Sequence, residues 1–188
     1  KPDLRPAVET TSPHNTLFAV GTVATRNGIK AEARARGKGR GSYLKKFLRR
    51  IGYYEPHSQP LKDEGDLHPI DLYGMVVIAD DDKQMADLYT EAVINALNDE
   101  NITPYPSPGR DKECFVIKGS PEFQENIRRA VLEKIPDADM ELFSFKDSGR
   151  DFTDAKITGF SETGDTRVPF APFEMQFSTP DARLMART

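Results

Sequence analysis

The spacing of apolar and polar positions changes character several times along this chain, and each change marks an element. A strict two-residue period runs through Ile29, Ala31, Ala33 and Ala35, with Lys30, Glu32, Arg34 and Arg36 between them. That period puts one set of side chains on each face of a β-strand. Thr16–Arg26 precedes it, and Asn27-Gly28 joins the two, a dipeptide suited to the positive φ angles of a type I′ turn. A β-hairpin is therefore predicted. Beyond it the period lengthens. Leu44, Phe47, Leu48 and Ile51 follow helical spacing after Ser42, a plausible N-cap, and Gly52 stops the run. Lys45, Lys46, Arg49 and Arg50 take the other side of that short helix.

The most regular stretch spans residues 71–147. Tyr73–Ala79 (YGMVVIA) is a short apolar run rich in β-branched residues, as in a buried strand. Asp80–Asp82 open a helix to about Asn98 whose buried stripe is Met85, Leu88, Tyr89, Ala92, Val93 and Ala96. Ile102–Tyr105 and Glu113–Lys118 read as strands. Ser120-Pro121-Glu122 combines a cap, an N1 proline and an early acid, and starts a helix that buries Phe123, Ile127, Ala130 and Val131. Met140–Lys146 closes the unit as a strand. The order is β-α-β-β-α-β, the arrangement of ferredoxin-like folds.

The chain thus reads as an α+β protein in five parts. Residues 1–15 form an extended arm, 16–52 the basic hairpin and helix, 53–70 a proline-containing loop, 71–147 a ferredoxin-like core, and 148–188 an extended C-terminal arm. In that last part the alternation of Phe173, Met175 and Phe177 marks one strand, added to a sheet edge or to a neighbour.

Charge changes the picture most. The formal net is −4, yet ten of the 26 Lys and Arg residues lie between Arg26 and Arg50, against one acid, Glu32. A cationic segment inside an acidic body points to an anionic partner, either phosphates or carboxylates. Lys30, Arg34, Arg36, Lys38, Arg40, Lys45, Lys46, Arg49 and Arg50 are the candidate contacts. Each phosphate neutralised adds a salt-sensitive increment to affinity. Tyr43, Tyr53 and Tyr54 stand nearby for stacking on single-stranded bases. No zinc-finger spacing or aromatic RNP-type strand accompanies them.

Other candidate chemistry is thin. The chain has one cysteine and three histidines. Cys114 opens an apolar strand and reads as a small buried residue. His14, His57 and His68 have no ligand spacing to one another. Gly37-Lys38-Gly39-Arg40-Gly41 lies between a strand and a helix, where a phosphate loop sits, but lacks the G-x-x-x-x-G-K-[ST] spacing and reads as a turn. Asp80-Asp81-Asp82 follows an apolar strand. The stretch MVVIADDDKQMADLYTEAV resembles the first strand and helix of response-regulator receiver domains, and the D-x-D strand end of Toprim domains. Either resemblance implies Mg²⁺ held at Asp80 and Asp82. A receiver's later strand-end Asp has no counterpart at Ile117-Lys118-Gly119, and capping of the following helix is the other reading of the three acids.

No apolar run approaches the length of a membrane span, and no charged-then-apolar leader opens the chain, which starts at Lys1 as a processed or trimmed chain does. The expectation is a non-enzymatic structural protein, cytoplasmic or part of a virion. Its arms and basic face would dock it among other protein subunits, without a cofactor and without a membrane. The alternatives are a nucleic-acid-binding protein using residues 26–50 and a Mg²⁺-dependent phosphoryl-transfer domain at Asp80 and Asp82.

Overall fold

The structure, a computed structural model, describes residues 18–25, 27–37, 44, 73–107, 110–148, 153–162, 164 and 170–185. Outside them lie the N-terminal arm, the three histidines, the 53–70 loop and, but for Leu44, the expected basic helix. The described chain is mixed α+β, built on one eight-stranded sheet.

In chain order the elements are β1 (Phe18–Ala24), β2 (Lys30–Gly37), β3 (Tyr73–Ile78), α1 (Asp82–Asn98), β4 (Ile102–Pro104), β5 (Phe115–Lys118), α2 (Pro121–Lys134), a 3₁₀ turn (Met140–Leu142), β6 (Phe143–Lys146), β7 (Asp154–Glu162), β8 (Phe170–Ser178) and α3 (Pro180–Met185). Across the sheet the order is β1-β2-β3-β8-β7-β5-β6, with β4 also paired to β7. The pairs β3–β8 and β5–β6 are parallel, and the others antiparallel.

The hairpin forms as the alternation requires, with Ala31 and Ala33 buried and Lys30, Glu32 and Arg34 exposed. Its turn differs from the expected two-residue form. Thr25 N–H donates to Ile29 C=O (2.9 Å) and Gly28 N–H to Thr25 C=O (3.0 Å), so the loop covers residues 26–28. Gly28 sits at φ +82°. A turn followed by one left-handed residue matches the strand twist as well as a type I′ turn does, and glycine adopts that conformation without a Cβ clash.

Both long helices begin where the caps predicted. The Asp81 carboxylate accepts from Gln84 N–H (2.7 Å), and the Ser120 hydroxyl from Phe123 N–H (3.2 Å). The helices lie side by side over one face of the sheet and seal a single core. Ranks of in-register residues cross beneath them: Ala33, Val77, Phe177, Ala155, Ile117 and Phe145 form one. Tyr89 of α1 is fully buried against Phe177 (ring centroids 5.2 Å, near perpendicular), and its hydroxyl donates to Lys156 C=O at 3.0 Å. The buried ring and that bond place α1 over the middle of the sheet.

The ferredoxin-like pairing does not form. In that fold the first and third strands of the core are neighbours, whereas β8 and β7 here stand between β3 and β5. Those two strands come from the part of the chain expected to be an arm. The alternation at Phe173, Met175 and Phe177 does mark a strand, but it lies in the interior of the sheet rather than at an edge. Parallel pairing with β3 on one side and antiparallel pairing with β7 on the other bury Phe177 more completely than an edge position allows.

β4 and β5 then share one edge of β7. Tyr105 N–H donates to Thr158 C=O (3.1 Å), and Thr158 N–H donates to Cys114 C=O (3.1 Å). One line of pairing therefore passes from β4 to β5 across a chain excursion between Tyr105 and Cys114.

Candidate docking face

The face of the sheet away from the helices carries the described part of the basic segment. Strand alternation sends Lys30 and Arg34 of β2 to this face because Ala31 and Ala33 are held in the core. Arg34 Nε pairs with Glu32, two residues away on the same strand. Next to them on β3 lie the half-buried Val76 and Ile78, opposite Arg34 and Glu32 respectively. Gln176 and Ser178 of β8 follow, then Lys156 and Asp154 of β7.

Several of the charges beyond β3 are matched by opposite ones. Lys156 Nζ is 3.2 Å from Glu174, both side chains being about one-quarter to one-fifth exposed (24% and 20%). Arg110 contacts Glu113 at 2.8 Å, Lys146 approaches the same carboxylate at 3.9 Å, and Lys112 pairs with Glu141. Burial pushes the Asp154 carboxyl above the usual carboxylate range; Lys118 and Lys156 oppose that shift, and Glu174 adds to it. Thr158 is buried on this face, where its hydroxyl donates to Tyr105 C=O at 2.7 Å beneath the excursion that separates β4 from β5.

Of the basic candidates, the structure places Lys30 and Arg34 together on this face and puts Arg36 in β2, in register with Gly74. Lys38, Arg40, Lys45, Lys46, Arg49 and Arg50 lie outside the described residues. Sequence reasoning missed Lys118, Lys146, Lys156, Asp154 and Glu174. Only their strand parity, once the pairings of β6 with β5, β5 with β7 and β7 with β8 were known, would have grouped them.

The three acids after β3 point to separate tasks. Asp81 is the N-cap of α1. Asp82 accepts from the Thr153 hydroxyl at 2.8 Å, which ties the start of α1 to the start of β7. The backbone N–H of Asp80 donates to Gln84 Oε1 at 2.6 Å. Among the described residues no three His, Cys, Asp or Glu side chains converge as metal ligands. Cys114 is buried, and burial pushes its thiol up to about 11, away from thiolate chemistry at neutral pH. Its Sγ donates to Lys112 C=O at 3.1 Å.

A groove of about 940 Å³ runs between α1 and α2 on their outer side and reaches the hairpin turn at Asn27. It is lined by charges of both signs, among them Asp87, Glu122, Arg129 and Glu133. No helix among the described residues is long and apolar enough to cross a membrane. Compared with known protein families, with curated proteins and with solved structures, the chain matches none at a significant level.

Proposed function

We propose that this chain is a non-enzymatic assembly subunit that docks on another protein through the face bearing Lys30 and Arg34. The observation that supports this reading is the interleaving of signs and apolar groups on that face. Arg34 is paired to Glu32, Val76 and Ile78 form a half-buried strip beside them, and Lys156 is paired to Glu174. A protein interface combines an apolar centre with polar, mutually complementary groups. A phosphate backbone instead selects cations whose charge is not already shared with carboxylates.

The test is a paired substitution, Lys30→Glu with Arg34→Glu, in the native assembly. Both side chains are exposed, so thermal stability should hold within about 0.5 kcal/mol. The variant chain should leave the larger complex and run at its own size. Retention in the complex would count against this face. Nucleic-acid binding is examined by titrating a single-stranded oligonucleotide at low and moderate salt. Tight binding that falls steeply with salt and vanishes on reversing Lys45, Lys46, Arg49 and Arg50 would replace the assembly reading.

A further inference from the structure

β1 ends the sheet, and among the described residues no strand lies against its outer side. In an antiparallel ladder, successive residues direct their backbone groups alternately toward and away from the partner strand. Thr25 N–H donates to Ile29 C=O, so the odd-numbered residues of β1 bond toward β2. Phe18, Val20, Thr22 and Ala24 therefore direct N–H and C=O groups outward. The strand FAVGTVA contains no charge and no proline, the devices that ordinarily blunt a free edge. The opposite edge is different. β6 has four residues and ends in Lys146, and the Arg128 guanidinium stands 4.4 Å from the ring centre of Phe145.

We propose that β1 pairs antiparallel with β1 of a second copy of this chain, about a twofold axis at Gly21, joining the two sheets into one. An isologous contact needs a surface that complements itself. Here the register centred on Gly21 sets Val20 against Thr22 of the mate and Phe18 against Ala24, and every outward N–H and C=O meets its complement with no overhang. Shifting the register by two residues leaves outward groups unpaired at both ends. No charged residue of β1 meets another. The cations one strand further in do not oppose the contact: β2 and the β2 of the mate stand about 14 Å apart, three strand spacings, against a screening length of about 8 Å at physiological salt. The pairing also brings Lys30 and Arg34 of both copies onto one continuous face. It stands on the β1 edge alone and holds whether or not that face docks a protein.

Gly21 supplies a direct test. A Cβ built there meets nothing within 4 Å. In the proposed register Gly21 faces Gly21 of the mate as a non-hydrogen-bonded pair, with Cα atoms about 4.5 Å apart, within disulfide reach. The full-length Gly21→Cys variant should form a covalent dimer on mild oxidation under native conditions. Ala19→Cys should not, because its equivalent in the mate is four residues further along, about 13 Å away. Wild-type chain, which retains only the buried Cys114, is the control. Thr22→Pro removes an outward N–H while leaving the β2 ladder whole, and Thr22→Lys charges the edge. Sedimentation should show a concentration-dependent wild-type dimer and at least a tenfold weaker one in both variants, with unchanged far-ultraviolet circular dichroism. A wild-type chain that stays monomeric to its solubility limit would overturn the proposal. So would equal crosslinking at residues 19 and 21, or a dimer that persists in Thr22→Lys.

Discussion

Asp154 and Gly159, both on β7, show how single residues meet demands set by their neighbours. Asp154 is held above its ordinary range by burial, despite Lys118 and Lys156. With the folded value raised, the folded state binds the proton more tightly than the unfolded chain does. Stability therefore falls as pH rises from the ordinary carboxylate pKa of about 3.9 through the raised value, and stays lower above it. Asp154→Asn should accordingly melt higher than wild type at pH 7, with the difference shrinking toward zero below about pH 4, as scanning calorimetry across pH would show. Gly159 is required for space. A Cβ there would come within 2.6 Å of Thr103 C=O and 3.3 Å of the Phe173 ring. The backbone oxygen of β4 cannot move without breaking its pairing with β7, so Gly159→Ala should cost roughly 1–3 kcal/mol in urea unfolding.

At the scale of elements, much was legible in the sequence. The helix starts at Asp80–Asp82 and Ser120, the apolar stripes of α1 and α2 and the alternation along β2 are local signals. The structure has the two starts and the alternation, and it buries the stripes except for Ala92 and Ala130, which are only half-buried. The position of β7 was not legible. Its pattern is interrupted by Gly159, whose reason for being there is a contact with a residue more than fifty positions away. Strand neighbours are a long-range property, so the order β-α-β-β-α-β fitted a ferredoxin-like sheet while the chain forms another. The described site residues divide the same way: Lys30 and Arg34 were visible from strand parity, whereas Lys156 and Glu174 needed the β7–β8 register. The cap reading leads to a sharp contrast among the three acids. Asp81→Ala should lower stability by about 1 kcal/mol, or about 2–4 °C in melting temperature, because it removes the acceptor for Gln84 N–H. Asp80→Asn should change it by less than about 0.5 kcal/mol. Millimolar Mg²⁺ should shift neither variant relative to wild type; a shift in wild type lost in Asp80→Asn would favour metal binding instead.

For the molecule as a whole, a single sheet under two helices ties distant parts of the chain into one core, reaching from Ala31 to Phe143. Phe177 lies in the interior of that sheet and touches Tyr89. Phe177→Ala should cost about 3–5 kcal/mol, a large share of the roughly 5–15 kcal/mol that holds a domain folded. Because the core is continuous, probes in β2 and in β6 should lose structure at the same urea concentration in wild type and variant. Separate transitions would show that the sheet folds as two units.

The place of β7 and β8 also fixes an order of events during synthesis. The interior of the sheet comes from residues 154–178, so β3 leaves the ribosome paired to β2 on one side but with β8, its neighbour on the other, not yet made. Until then β1–β2–β3 and β5–α2–β6 are two fragments with no strand between them. A ribosome-bound chain ending near residue 150 exposes the apolar flanks of Val77 and Ile117 to whatever chaperone attends it, and β7 and β8, once made, act as the keystone that closes this sheet.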